Sequence, residues 1–173
     1  MKKYIPKMYK KSIQDINYDK LKENNIKCII FDLDNTLLKV HKSIPKKETY
    51  DLIKKLKKDF KIIIISNNTS KKRLKTAADY LKVDYIKFAM KPFSRGFRKV
   101  SNKYKFSKNE MCLIGDQIMT DVLGGNRYGI YTILVDPLSN DELKVTGVNR
   151  FFENKKLKKL KKNNLFKKGE YYE

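Results

Sequence analysis

The chain has 173 residues, 40% of them hydrophobic, which is enough for one domain with a buried core. No apolar run approaches the roughly 20 residues that a transmembrane helix needs. Lysines interrupt the first residues, where a signal sequence would have its apolar region. These features lead us to expect a cytoplasmic protein.

The net charge of +22 has two explanations that composition alone leaves open. A positive surface would attract anionic lipid surfaces or nucleic acid. Nearly all of the 41 basic residues are lysine, however, and coding bias in an AT-rich genome would produce the same excess. Under either explanation, the charge raises the encounter rate with anionic substrates.

The first predicted elements bring two carboxylates to a strand end. Residues 1–24 are polar with isolated apolar anchors, and they predict a lead-in that packs on the core. A strand over about 27–31 follows and ends in Asp32 and Asp34, which can project to one side because strand side chains alternate with period two. Two close carboxylates repel each other, and a divalent cation would relieve the repulsion. The pair is either an acidic turn that happens to end a strand or, the interpretation we prefer, a nucleophile, Asp32, and a proton donor and acceptor, Asp34, with a metal next to a phosphate.

Helices and strands alternate in the rest of the predicted elements. The order is a loop over 38–45, a helix over about 46–58, a strand over 61–65, a helix with an apolar stripe at Leu74, Ala77, Ala78 and Leu81, a strand over about 85–89, a helix after Pro92, a strand over 111–114, a helix over about 118–128 and a strand over 131–135. This alternation predicts an α/β fold in which helices cover both faces of a parallel sheet. Cys28 and Cys112 fall in predicted strands, and we expect them to be buried core thiols.

Polar residues follow three of the later strands, as they follow the first. Ser66 and Asn67 end the second strand, Lys91 follows the third, and Asp116 and Asp121 follow the fourth. Ligands of such sheets bind beyond the carboxyl ends of the strands, which is where all of these residues fall. With DxDxT at 32–36, the chain has Ser66, Lys91 and GDxxxxD at 115–121 in order, and it resembles the haloacid-dehalogenase-like (HAD) phosphatase superfamily.

The resemblance extends to the YqeG-type family of HAD subclass IIIA. It is carried by DLDNTLL at 32–38, SNN at 66–68, AMKP at 89–92, GDQIMTDVLGGN at 115–126 and NRFFE at 149–153. The resemblance implies a HAD-like Rossmannoid three-layer sandwich with a five-stranded parallel sheet in the order 5-4-1-2-3. We expect one HAD-like domain over 1–153, including the lead-in, and a basic C-terminal tail over 154–173.

The resemblance also implies a Mg2+-dependent phosphomonoester hydrolase with an aspartyl-phosphate intermediate on Asp32. Asp34 would protonate the leaving alkoxide and then deprotonate the attacking water. The expected metal ligands are the carboxylates of Asp32 and Asp116 and the backbone carbonyl of Asp34, since Mg2+ prefers oxygen ligands.

Five further residues complete the implied site. Thr36 would orient the aspartates, and Ser66 would hold phosphate oxygens together with the backbone amide of Asn67. Lys91 would neutralise the phosphate and restrain the nucleophile. Asp121 would act on the metal site through water or through Lys91.

The spacing of the motifs bears on the substrate. Residues 34–66 and 66–91 are too short to contain a cap domain, so we expect an open site suited to a phosphate on something large. Mitochondrial relatives of YqeG-type proteins are associated with converting phosphatidylglycerophosphate to phosphatidylglycerol, and the resemblance favours this substrate. The alternatives are a phosphatase on nucleic-acid ends, a ribosome-linked role, or an adaptor that retains the site.

The basic C-terminal stretch also has two interpretations. Residues 155–168 combine lysines with a few apolar residues and could form a surface helix on an anionic bilayer. A solvated, partly disordered tail is the interpretation we prefer. Under the first interpretation, we expect peripheral contact with the inner face of an anionic membrane.

Overall fold

The computed structural model describes residues 1–67, 70–139 and 146–173, and it shows a six-stranded parallel sheet between two layers of helices. The strands are β1 (Met8–Lys10), β2 (Cys28–Asp32), β3 (Lys61–Ser66), β4 (Asp84–Lys87), β5 (Met111–Gly115) and β6 (Tyr131–Val135). The helices are α1 (Tyr18–Glu23), α2 (Lys47–Leu56), α3 (Lys71–Leu81), α4 (Arg95–Tyr104), α5 (Leu123–Tyr128) and α6 (Thr146–Lys162). Asn68 of the second motif and the side chains of 149–152 lie outside the described residues.

The sheet confirms the predicted α/β class and adds one strand to it. The strand order is β1-β6-β5-β2-β3-β4, so β2 to β6 reproduce the expected order of five parallel strands. The count of five was wrong because β1 joins the edge of the sheet, with Met8 opposite Ile133. β1 is only three residues long and lies in a lysine-rich lead-in, so its sequence pattern is weak. The strand forms because pairing with β6 satisfies its backbone and buries Met8 and Tyr9.

Alternating strand residues build a core on each face of the sheet. On one face, Ile29 and Phe31 pack under the apolar stripes of α2 and α3. On the other face, Ile30 and Ile63 pack against Phe97 of α4. Both faces of the central strands are covered, which explains why these strands are continuous apolar runs.

The two cysteines are buried and unbonded, as predicted. Cys28 and Cys112 lie in β2 and β5, and burial raises the pKa of the Cys28 thiol to about 12. They are therefore inert packing residues.

The C-terminal segment folds back onto β1. Leu160 and Phe166 are buried in a third cluster with Tyr9, Ile118 and Leu134. The expected boundary at 153 falls inside α6, and the preferred picture of a solvated tail differs from the packing observed here. Leu157, Leu160 and Phe166 of this stretch therefore pack on the protein itself, whereas Leu165 is exposed.

The described parts of the chain contain neither a cap domain nor a membrane-spanning helix. One loop and α2 separate Asp34 from Ser66, and α3 and β4 lie between Ser66 and Lys91. Among the described residues, every helix is too short or too polar to cross a bilayer. The carboxyl edge of the sheet is therefore not covered by an inserted domain within those segments.

Candidate active site

The predicted site residues gather where β2, β3 and β5 end. Asp32 is the last residue of β2, Ser66 is the last residue of β3, and Asp116 directly follows β5. The parallel register sets Asp32 beside Ile65 and Phe31 beside Ile114, so the three strand ends meet at one edge of the sheet. This edge is where ligands of open α/β sheets bind.

A buried lysine joins two of the carboxylates. The Nζ atom of Lys91 donates to Oδ1 of Asp32 and, at 2.6 Å, to Oδ1 of Asp121. All three residues are buried. A buried charge is stable only when it is paired and hydrogen-bonded, and this lysine meets both conditions.

Burial and charge act in opposite directions on this pair. Burial raises the pKa of Asp32 to about 7, although Lys91 opposes the rise, and Asp121 and Asp34 add to it. Burial also opposes the charge of Lys91, but Asp121 and Asp32 together raise the pKa of this lysine above its ordinary value. Asp32 is thus a carboxylate with little solvation, which is the condition of a reactive nucleophile.

Three carboxylates form a group that fits a divalent cation. One oxygen from each of Asp32, Asp116 and Asp121 lies within 4.8 Å of the others, and all three residues are buried. The single ammonium of Lys91 leaves this four-residue group with an excess of negative charge. Oxygen-only donors of this kind suit Mg2+. The expected ligands were the carboxylates of Asp32 and Asp116 and the backbone carbonyl of Asp34, and the Asp34 carbonyl stays a prediction. The Asp121 carboxylate lies in the same group, in addition to its contact with Lys91.

Asp34 has a different environment from Asp32. It lies in the turn after β2, where its Oδ1 accepts a hydrogen bond from Nη1 of Arg73 on α3. Arg73 also donates to the backbone carbonyls of Lys39, at 3.1 Å, and of Lys42. One guanidinium therefore holds Asp34 against the loop that leaves the site.

Thr36 and Asn67 contact other site residues rather than open space. The hydroxyl of Thr36 lies 3.5 Å from Oδ1 of Asp116, and both residues are buried. The Asn67 side chain donates to the carbonyl of Lys91 at 2.8 Å and accepts from the amide of Lys91 at 2.8 Å. We expected only the backbone amide of Asn67 to act; its side chain sets the position of the lysine.

Two further features escaped the sequence analysis. A Cβ atom on Gly115 would lie 2.4 Å from the Asp121 carboxyl, so only glycine leaves room for this close approach. Oε1 of the buried Glu153 on α6 accepts from the amide of Ile118 at 3.1 Å. Ile118 begins a widened π-helical turn, Ile118–Val122, which carries Asp121 and interrupts the predicted helix.

Arg73 was visible in the sequence only as a rare arginine in a lysine-rich chain. The choice of arginine matters because a guanidinium can donate to three acceptors at once. An arginine in a lysine-rich chain indicates a position that needs a guanidinium. Nothing in the spacing, however, connected position 73 with Asp34.

Comparison with known proteins shows that this chain is similar to proteins named as phosphatases. A family model described as "Mitochondrial PGP phosphatase" matches residues 1–139. The chain is 36% identical over 160 residues to a Bacillus subtilis protein named "Probable phosphatase YqeG", covering 92% of each. It is 24% identical over 147 residues to "Phosphatidylglycerophosphate phosphatase 1, chloroplastic/mitochondrial" of Arabidopsis thaliana, covering 80% of this chain and 42% of that protein.

A solved structure supports the fold alone. The crystal structure of an uncharacterized protein from Listeria monocytogenes serotype 4b has a TM-score of 0.56 and 22% sequence identity to this chain. The similarity covers 68% of this chain and 85% of that one.

Proposed function

The chain belongs to the family described as mitochondrial PGP phosphatase, and its motifs resemble those of HAD phosphatases. We propose that it hydrolyses phosphatidylglycerophosphate through an aspartyl-phosphate, with Mg2+ as cofactor. The observation that carries the proposal is the buried contact of Asp32 with Lys91 beside Asp116 and Asp121. A reactive carboxylate, a cation and a set of oxygen donors occupy one edge of the sheet.

The first half of the reaction uses Asp32 as nucleophile. One carboxylate oxygen attacks phosphorus, the bond from phosphorus to the ester oxygen breaks, and the aspartyl-phosphate forms. The leaving alkoxide takes a proton from the carboxyl group of Asp34, whose position Arg73 restrains. Lys91 keeps the Asp32 carboxylate in position for attack.

The second half restores the enzyme. Asp34, now a carboxylate, takes a proton from water, and the water oxygen attacks phosphorus. The bond between phosphorus and Asp32 breaks, so inorganic phosphate leaves and Asp32 regains its carboxylate. Each proton that Asp34 gives in the first step returns to it in the second.

The carboxylates of Asp32, Asp116 and Asp121 are the residues that would hold Mg2+. The ion would supply charge stabilisation for the transferring phosphoryl group. Thr36 orients Asp116, and Asn67 orients Lys91 through its backbone.

Three observations favour a lipid substrate. The family description and the Arabidopsis relative both carry the name of a phosphatidylglycerophosphate phosphatase. The described segments between the motifs hold no cap that would enclose a small metabolite. The net charge of +22 favours substrates presented on an anionic surface.

The test is phosphate release in the presence of Mg2+ from phosphatidylglycerophosphate in mixed micelles. We expect the Asp32→Asn variant to lose at least about 10³-fold in kcat, since it removes the nucleophile. The Asp51→Asn variant, on the exposed side of α2, is the matched control and should retain activity.

Parallel assays identify the substrate class. Phosphorylated oligonucleotides and small sugar phosphates are tested at the same enzyme concentration. Preference for the lipid supports the proposal, whereas preference for oligonucleotide ends would replace it with the nucleic-acid alternative. Turnover by Asp32→Asn equal to that of the unmodified chain would contradict the nucleophile.

A further inference from the structure

Large exposed apolar side chains are concentrated at the edge of the sheet that holds the site. Five of the nine in the described residues lie on loops that follow the carboxyl ends of strands. We call this set the apolar rim: Ile44, Phe88, Met90, Phe93 and Leu138, with exposed fractions of 55%, 40%, 47%, 65% and 40%. Scattered exposed apolar residues are ordinary, but their concentration around a catalytic edge indicates a binding surface.

Each member of the rim lies in a loop that carries a site residue or that is hydrogen-bonded to such a loop. Phe88, Met90 and Phe93 belong to the loop that delivers Lys91. The amide of Leu138 donates at 2.9 Å to the carbonyl of Asn35, which follows Asp34 in sequence. Ile44 lies two residues after Lys42, whose carbonyl accepts from Arg73.

The loop from 88 to 93 holds its apolar side chains outward through an unfavourable backbone. Phe88 and Met90 have φ angles of 50° and 54°, in the left-handed region that bulky residues rarely adopt. The alternate residues, Ala89 and Lys91, point inward and are buried. Exposing phenylalanine and methionine to water is unfavourable, so this conformation indicates a surface that binds an apolar partner.

Backbone hydrogen bonds keep this loop in place. The amide of Ala89 donates to the carbonyl of Ser66 at 3.1 Å, and the amide of Phe93 donates to the carbonyl of Met90 at 2.8 Å. The double contact between Asn67 and Lys91 fixes the centre of the loop. The outward side chains are therefore preorganised for contact.

Cations accompany the apolar side chains of the rim. The Nζ atom of Lys71 lies 5.9 Å from the centre of the Phe88 ring. Nη1 of Arg95 lies 3.7 Å from the sulfur of Met90, and Lys87 is exposed beside them. Apolar side chains interleaved with cations match the boundary between anionic headgroups and acyl chains of a bilayer.

We propose that the apolar rim docks the carboxyl edge of the sheet onto an anionic phospholipid bilayer, with Phe93 as the deepest inserted side chain. The inference rests on the proposed function, because it brings Asp32 to the height at which a lipid phosphate lies. It assigns the membrane contact to the loops of the site instead of the basic C-terminal helix. The described apolar residues of that helix, Leu157 and Leu160, pack on the protein.

Tryptophan fluorescence provides a direct test, since the chain contains no tryptophan. The Phe93→Trp variant is mixed with phosphatidylcholine vesicles that contain or lack phosphatidylglycerol. We expect its emission to shift to the blue with the anionic vesicles and to be quenched by lipids brominated on the acyl chains. Leu165→Trp is the matched control at an exposed position that is not part of the rim, and its emission should not change.

Sedimentation with the same vesicles measures the energetic contribution. We expect Phe93→Ser to lower the partition coefficient roughly tenfold, because one large apolar side chain no longer enters the lipid. Leu165→Ser should bind like the unmodified chain, and added salt should weaken binding of all variants because the cations are screened. Equal binding by Phe93→Ser, or an equal loss in Leu165→Ser, would overturn the docking surface.

The outcomes separate this inference from the proposed function. Phe93→Ser should hydrolyse a water-soluble phosphate ester at the rate of the unmodified chain, since Phe93 takes no part in the chemistry. Asp32→Asn should bind vesicles normally and hydrolyse nothing. Self-association in the absence of vesicles that Phe93→Ser abolishes would overturn the inference, because the rim would then bind a second copy of the chain.

Discussion

Arg73 and Asp34 show how a single residue choice affects the chemistry of the site. The guanidinium reaches Asp34 and two backbone carbonyls of the loop after the first motif. Asp32, two residues earlier, instead contacts the ammonium of Lys91. The two carboxylates thus have separate cationic partners, so each is positioned independently of the other.

Arg73→Lys should lower kcat for the phosphatase reaction roughly tenfold while thermal stability changes little. A lysine is a single point donor and cannot hold Asp34, Lys39 and Lys42 at the same time. Steady-state kinetics on a soluble phosphate ester provide the measurement. Arg98→Lys, at an exposed position on α4, is the control, and an equal loss in both variants would contradict the assignment.

Mg2+ should stabilise the chain through the cluster of Asp32, Asp116 and Asp121. Binding to the native state alone adds about 2.7 kcal/mol when the ion is at 100 times its Kd. We expect thermal unfolding to show a higher Tm with Mg2+ and no such rise in the Asp116→Asn variant. Asp51→Asn should keep the full rise, and an unchanged rise in Asp116→Asn would exclude Asp116 as a ligand.

At the scale of elements, a short turn before β5 is linked to the residue before β2, so the amino ends of two central strands are joined. Glu110 ends a 3-10 turn, Lys108–Glu110, and its side chain accepts from the amide and hydroxyl of Ser107. Nζ of Lys27, just before β2, donates to the same side chain at 2.5 Å. The interaction joins β2 to β5, whose opposite ends carry Asp32 and Asp116.

The Lys27 ammonium and the Ser107 donors lower the pKa of Glu110 to about 2. A lowered pKa in the folded state stabilises the protein above the unfolded pKa, and this contribution is lost as the pH falls toward the folded value. The Tm difference between the unmodified chain and Glu110→Gln should therefore be constant at neutral pH and shrink from about pH 4.5 to about pH 2. Thermal melts across this range measure it, and a difference that persists unchanged at pH 2 would contradict the argument. The Tm difference between the unmodified chain and Lys27→Gln should shrink over the same pH range, but by a smaller amount.

At the scale of the molecule, the two chain ends close one edge of the fold together. Tyr9 of β1 pairs with Tyr172, and the Tyr9 hydroxyl donates to Asp136 after β6 at 2.5 Å. The Phe166 ring lies 5.4 Å from the Tyr9 ring, between centroids. The basic C-terminal stretch therefore covers β1. Its lysines face outward, and its apolar residues form a cluster with Tyr9.

Phe166→Ala should lower the free energy of unfolding by about 3 kcal/mol, because it leaves a cavity in this apolar cluster. Leu165→Ala is the matched neighbour: its side chain is 42% exposed, and we expect a loss of less than about 1 kcal/mol. Urea unfolding of both variants measures the difference. Equal, small losses would indicate that residues 154–173 contribute little to the stability of the domain.

The class of fold and most residues of the catalytic edge could be predicted from the sequence pattern. Buried parallel strands are long apolar runs, and a polar residue at the end of such a run must lie at one edge of the sheet. For that reason the apolar runs indicated one edge for Asp32, Ser66 and Asp116, while the order of the motifs was also needed to include Lys91, which lies four residues beyond the short strand β4. The local pattern was sufficient for Asp32, Ser66 and Asp116 because the apolar run that predicts a strand also shows where that strand ends.

Contacts between residues distant in the chain could not be predicted from the pattern, because they depend on how the elements pack. The pairing of Arg73 with Asp34, the entry of Asp121 into the carboxylate group and the packing of Phe166 on Tyr9 each depend on side-chain direction across different elements. The strand β1 likewise forms because β6 offers an edge to it. A periodic pattern records which face of an element is buried, but it does not record which partner covers that face.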